Sequence, residues 1–283
     1  MKNTLLSNGR RIAFYTSGNA EEALPLVLLH GFCEDASLWL PVMPLLGEKR
    51  VVRIDLPGFG ASQQPLSTNM RVYSDAVCAV LNELGIGQCV LAGHSMGGYA
   101  ALDFAGIYPE RLAGLGLVHS HPFEDAPDRK ENRRRGIAMV QARKKNLYVA
   151  QLFPGLFAPD FARAHPEVVQ TLIRRGQQQS VAGIAAALEA MILRADTQNA
   201  LREAACPVLF LLGELDSIIP PDWALSAAIL PQITDVNVLP GVGHMGMFEA
   251  PDETAGILLR FSKYCLQQAS ATSLKDQQRP IRK

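Results

Sequence analysis

Cys89-Val90-Leu91-Ala92-Gly93-His94-Ser95-Met96-Gly97-Gly98 decides the reading of this chain. Four apolar residues lead into a serine held between two glycines. A helix-spaced apolar pattern follows (Tyr99, Ala100, Ala101, Leu102, Phe104, Ala105). A sharp turn from strand to helix strains the backbone of its middle residue and lifts that side chain above the sheet edge. Glycine suits the flanking positions because a Cβ there collides with the neighbouring strand and helix. The helix opening at Met96 also offers free backbone N–H groups beside the serine oxygen, which favour developing negative charge. In this strand–turn–helix context Ser95 is expected to be a nucleophile.

Outward from that turn, the chain alternates strands with helices. Thr4–Leu6 and Ile12–Thr16, separated by Asn8-Gly9, read as a hairpin. Short apolar runs at 26–29, 51–54, 89–92, 112–118 and 207–212 read as strands buried on both faces, and 236–239 as the last strand. Helical spacing covers 73–84, the segment after Ser95 up to Pro109, 221–230 and 254–266. The alternation predicts an α/β fold with a mostly parallel sheet covered on both faces. From about His121 to Ala200 the pattern is helical throughout. Residues 122–200 are therefore expected to form an inserted helical cap, with 1–121 and 201–266 as the core. The polar stretch 267–283 is expected to be a disordered tail. Ligands of such sheets bind beyond the carboxyl ends of the strands, where Ser95 and the insertion both fall.

A serine hydroxyl needs a base within hydrogen-bond reach, and the base needs a group that fixes its tautomer. His244 sits in the glycine-rich Gly241-Val242-Gly243-His244-Met245-Gly246, after the last strand, and is the expected base. Asp216, in Gly213-Glu214-Leu215-Asp216, is the expected orienting acid, with Glu214 as its rival for that role. The chain order Ser95, Asp216, His244 is that of one known serine triad. An oxyanion needs fixed donors, and the backbone N–H groups of Phe32 and Met96 are the expected pair.

In these residues the chain resembles a cap-containing α/β-hydrolase. The resemblance is carried by His30-Gly31-Phe32, Asp55-Leu56-Pro57-Gly58-Phe59-Gly60-Ala61-Ser62, Gly93 to Gly98, Gly213 to Asp216, Gly243-His244 and Glu249-Ala250-Pro251. It implies an eight-stranded sheet, hydrolysis through an acyl-enzyme and no cofactor. Serine rather than aspartate at position 95 argues against the haloalkane dehalogenase and epoxide hydrolase branches.

The remaining features bound the function. A formal net charge of zero gives no reason to expect a nucleic-acid partner. The basic run Arg129 to Arg135 is interleaved with Asp128 and Glu131 and reads as a solvated helix face. The five cysteines have no metal-ligand spacing, so no metal is expected, and they suit reduced thiols of a cytoplasmic protein. Residues 1–9 lack a long apolar core, and no run approaches a membrane span. Leu152, Phe153, Leu156 and Phe157 are candidate walls of an apolar pocket, and His30, His119 and His121 candidate pocket histidines. The expected substrate is a small or medium apolar carboxylic ester. Thioesters, lactones and carbon–carbon bonds of diketones use the same machinery, and a ligand sensor with little turnover keeps the same motifs.

Overall fold

The computed structural model of the protein describes residues 2–7 and 9–277. The strands are β1 (Lys2–Ser7), β2 (Arg10–Ser17), β3 (Leu26–Leu29), β4 (Val51–Ile54), β5 (Cys89–His94), β6 (Leu112–Val118), β7 (Val208–Gly213) and β8 (Thr234–Leu239). They form one eight-stranded sheet in the order β1-β2-β4-β3-β5-β6-β7-β8. From β4 to β8 every neighbouring pair is parallel, while β2 runs antiparallel to β1 and β4. Every residue of β3, β5, β6 and β7 is buried, the reason these strands are continuous apolar runs. β8 closes one edge and is half exposed. In the hairpin expected at Asn8-Gly9, β1 and β2 pair as expected, with Ser7 opposite Arg10; Asn8 itself lies outside the described residues.

Register places the site. Leu29 pairs with Gly93, His94 with Val118, and Val118 with Leu211, so β3, β5, β6 and β7 end side by side. The residues that follow these strands, and the loop after β8, therefore meet at one edge of the sheet.

Helices α1 (Arg71–Glu83) and α2 (Met96–Ile107) pack together, and α2 lies on β5 and β6. Between β6 and β7 come α3 (Pro127–Met139), α4 (Lys145–Leu152), α5 (Pro159–Ala164), α6 (Pro166–Gln178), α7 (Val181–Leu193) and α8 (Gln198–Arg202). A bend at Val140–Lys144, with Arg143 at φ 63°, folds α4 back from α3, and α3 packs on α7. After β7 come α9 (Pro221–Ala227), α10 (Gly246–Glu249) and α11 (Pro251–Gln277), the last packing on β6 and β8. α11 overruns its expected end at Leu266, so residues 267–277 of the expected disordered tail are helical. Their Ala, Gln, Leu and Lys are good helix formers that need no apolar stripe to extend a helix already anchored upstream. Residues 278–283 lie outside the described residues.

Candidate active site

Ser95 closes β5 and opens α2 with φ 51° and ψ −113°, a backbone conformation that L residues rarely adopt. Its surroundings hold it there. A Cβ at Gly93 would lie 2.1 Å from the Gly97 carbonyl oxygen, and one at Gly97 would lie 2.6 Å from that of His30. The Ser95 N–H donates to the Val118 carbonyl at 2.9 Å. The Ser95 carbonyl accepts from the Gly98 N–H and from the Ser120 hydroxyl, each at 2.9 Å. With its backbone fixed on both sides, the half-buried Ser95 side chain opens into a cavity of about 320 Å3 that His244 also lines.

His244 and Asp216 arrive from the loops after β8 and β7. His244 Nδ1 lies 2.7 Å from Asp216 Oδ2. The other carboxylate oxygen, Oδ1, accepts the N–H groups of Ile218 at 2.9 Å and Ile219 at 2.8 Å. His119, at the end of β6 with φ 48°, places its Nδ1 3.3 Å from the same Oδ2. Its Nε2 accepts the Gly246 N–H at 3.3 Å, which assigns the ring proton to Nδ1. Burial favours the neutral form of Asp216. The adjacent His244, together with hydrogen bonds from His119 and His244, outweighs that effect and holds the carboxyl well below the usual carboxylate range. Burial pushes the His119 imidazole down to about 4, so it is a neutral donor at physiological pH. His119, Asp216 and His244 carry donor atoms within 4.8 Å of one another, close enough for a metal. Two Nδ1–H groups on one carboxylate oxygen account for that spacing as hydrogen bonds. The rival carboxylate, Glu214, instead accepts the Gly241 N–H at 2.8 Å and braces the loop.

The loop after β3 supplies the opposite wall. His30 Nε2 accepts the Leu56 N–H at 2.9 Å and its Nδ1 lies 2.8 Å from the Gly31 carbonyl, so His30 fixes the loop and does not reach the cavity. Phe32 lines the cavity, and Met96 begins α2. Among the described residues neither of their N–H groups has a hydrogen-bond acceptor. Glu34, which no sequence motif singles out, is buried on the same wall. Its Oε2 accepts the Gly31 N–H at 3.0 Å and lies 3.4 Å from His94 Nδ1, while its Oε1 is buried without a partner. His94 Nε2 lies 2.9 Å from the His244 carbonyl, tying the strand that carries Ser95 to the loop that carries His244.

Of the expected pocket residues, Leu152 and Leu156 line the cavity. Phe153 does not: it is fully buried against Gly176. Phe157 stacks on Phe161 at 5.4 Å and also faces away. His119 lies behind the wall on Asp216. His121 is buried beside Tyr99, its Nδ1 accepting the Phe123 N–H at 3.2 Å. The basic run also differs from expectation. Arg129, Asn132 and Arg133 face the cavity, whereas Arg134 and Arg135 pair with Glu131 on the solvent side.

The model of the alpha/beta hydrolase family matches residues 26–257. The chain belongs to that family. Among its relatives is the dihydrolipoyllysine-residue acetyltransferase component of the acetoin cleaving system of Pseudomonas putida. The two are 33% identical over 258 residues, covering 89% of this chain and 67% of that protein. The 2-hydroxy-6-oxononadienedioate/2-hydroxy-6-oxononatrienedioate hydrolase of Burkholderia vietnamiensis is 29% identical over 267 residues, 89% of this chain and 90% of the relative. Among solved structures, a thermophilic esterase from Thermogutta terrifontis superposes with a TM-score of 0.87. It is 32% identical and covers 94% of this chain and 99% of its own. Alpha/beta hydrolase membership, with the Burkholderia hydrolase and the Thermogutta esterase among similar proteins, supports an ester-acting hydrolase. Among the described residues no helix is long and apolar enough to cross a membrane.

Proposed function

We propose that this chain is a serine hydrolase that cleaves a small or medium carboxylic ester through an acyl-enzyme at Ser95. One observation carries it. Asp216 bonds His244 at 2.7 Å, and His244 shares a cavity with a serine on a strained strand-to-helix turn. Asp216 accepts a hydrogen bond from His244 Nδ1–H, which leaves Nε2 free to take the Ser95 proton as Oγ attacks the carbonyl. The oxyanion formed is held by the unpaired Phe32 and Met96 N–H groups, a form of stabilisation worth about 3–4 kcal/mol per donor. The charged His244 then protonates the leaving alcohol. Water, activated by the same ring, releases the acid and restores Ser95. None of these steps draws on a cofactor.

Residues 122–200 serve as the cap that sets specificity, through Leu152, Leu156, Leu188 and Met191 on the cavity wall. Lactones, thioesters and carbon–carbon bonds of diketones fit the same steps, because each presents an electrophilic carbonyl to Ser95. The five free cysteines support a reducing compartment, the cytoplasm. The test is kcat/KM for a short-chain aryl ester. Ser95→Ala should lose on the order of 10^4-fold or more with its fold intact. Equal activities would overturn the proposal, and a single slow acylation without turnover would favour a ligand sensor.

A further inference from the structure

We propose that one face of α3 recognises a carboxylate, and that the preferred substrate is an ester whose acyl chain ends in a free carboxylate a few bonds from the scissile carbonyl. This rests on the hydrolase reading of Ser95 and adds the substrate class.

Arg129, Asn132 and Arg133 stand at positions i, i+3 and i+4 of α3, so they share one face, and all three line the cavity that holds Ser95 and His244. The charges behind that face do not balance. Arg133 donates through Nε to Asp125 Oδ2 and approaches Oδ1 through Nη2 at 3.3 Å. Arg194 donates to the same Oδ1 at 2.7 Å. Two guanidiniums thus share one carboxylate, and the side chains of Asp125 and Arg194 are 0% and 4% exposed. Arg129 adds a third cation. It donates to the Ile218 carbonyl and lies 5.2 Å over the Trp223 ring, and it makes no ion pair among the described residues.

The neighbours do not supply the missing anion. Lys130 and Glu124 pair with each other, as do Arg134 and Arg135 with Glu131. Glu34, the acidic group on the cavity wall, is turned to the Gly31 N–H through Oε2, and its Oε1 is buried without a partner. His121 stays neutral, pushed down to about 3 by burial and by Arg194 and Arg129. Packing cations into a partly dry cavity is costly unless an anion meets them there. A guanidinium beside an amide N–H2 matches the two oxygens of a carboxylate, and charge-assisted bonds of this type are the strong ones.

Two links hold the cationic face close to the reacting atoms. Ile218, whose carbonyl takes Arg129, gives its N–H to Asp216. Tyr99, whose ring lies 3.9 Å under the Arg194 guanidinium, gives its N–H to the Ser95 carbonyl at 3.3 Å. Tyr99 follows Ser95 by four residues, about 6 Å of helical rise, and lines the same cavity as Arg129 and Arg133. A cavity of about 320 Å3 shared by Ser95 and these arginines suits a linker of a few carbons. The apolar wall remains for the alcohol portion.

The test compares monoethyl glutarate with ethyl 5-oxohexanoate, which replaces the carboxylate by a methyl ketone of the same shape. The wild-type chain should favour the hemiester in kcat/KM by about tenfold or more, and Arg129→Met should cut that ratio by about 10- to 100-fold. Because the readout is a ratio, general damage to the enzyme divides out. Arg129→Lys should restore part of the preference, and raised salt should erode it in the wild type. A wild-type ratio of one or less, or an unchanged ratio in Arg129→Met, would overturn the inference while leaving the hydrolase intact. If neither ester is turned over, the hydrolase reading fails instead. Calorimetric binding of monoethyl glutarate to Ser95→Ala then decides, with salt-sensitive binding lost in Ser95→Ala/Arg129→Met as the supporting result. No binding by Ser95→Ala would overturn it.

Discussion

Replacing Asp216 with asparagine keeps the side-chain shape and exchanges one acceptor oxygen for an N–H2 group. Four donors converge on this carboxylate, two on each oxygen. The two backbone donors, Ile218 and Ile219, cannot turn away, so the remaining oxygen stays on them. The new amide N–H2 then faces the Nδ1 atoms of His244 and His119. His119 cannot move its proton, because its Nε2 already accepts the Gly246 N–H. His244 can: its Nδ1 becomes an acceptor and its Nε2 gains the proton, which leaves no base for Ser95. The expected loss in kcat at neutral pH is about 10^4-fold, equivalent to roughly 5.4 kcal/mol. Stability falls by about 1–3 kcal/mol for the one buried hydrogen bond that His119 cannot recover. Steady-state hydrolysis of an aryl acetate and urea denaturation read the two effects separately. In a His119→Phe background the stability cost of Asp216→Asn should shrink below about 1 kcal/mol while the loss in kcat stays. The reasoning is refuted if Asp216→Asn keeps kcat within tenfold of wild type, or if Glu214→Gln costs more activity than Asp216→Asn.

Three further outcomes are expected. Burial holds His119 near 4, and burial with Arg194 and Arg129 holds His121 near 3, so at pH 5 both are neutral in the fold while the unfolded chain binds the protons. Stability should therefore fall as pH drops from about 6.5 towards about 4, by up to about 2.7 kcal/mol per pH unit for the pair; urea midpoints at pH 7.5 and 5 check this, and equal midpoints contradict it. At Gly97 an added Cβ would meet the backbone oxygens of His30 and Leu29 at 2.6 and 2.8 Å, so Gly97→Ala should destabilise by about 1–3 kcal/mol or more, read by thermal or urea denaturation. Glu34→Ala frees the Gly31 N–H and loosens the loop that carries Phe32, which should lower kcat/KM about tenfold, whereas Glu34→Gln, which keeps an acceptor, should lose less.

Several parts of the molecule were legible before any coordinates. Continuous apolar runs marked the buried parallel strands, since a strand covered on both faces has no polar side. Ser95 and Asp216 stand after such runs and His244 after the half-exposed edge strand, where strand-following loops meet. What was hidden depends on contacts between distant segments. His119 reaches Asp216 only because the ends of β6 and β7 are neighbours in the sheet, and nothing in Val118-His119-Ser120 announces that pairing. Glu34 holds the Gly31 N–H beside His94, a placement its residue type does not announce. The inward face of α3 reads as a solvated one because alternating charge looks the same whether a helix meets water or a cavity. Arg194, which shares Asp125 with Arg133 and so leaves a surplus of positive charge there, lies far from α3 in sequence. Hydrophobicity alone points Phe153 and Phe157 to the pocket, and it does not separate a cavity wall from the packing behind it.

The central claim is that Ser95 carries the acyl group during turnover. Acid-quenching the enzyme in the steady state with an aryl acetate, digesting it and weighing the peptides tests this directly. An added acetyl mass is expected on the peptide containing Ser95, absent in Ser95→Ala. Continued turnover with no acyl mass on that peptide, or with the acyl group on another residue, would contradict it.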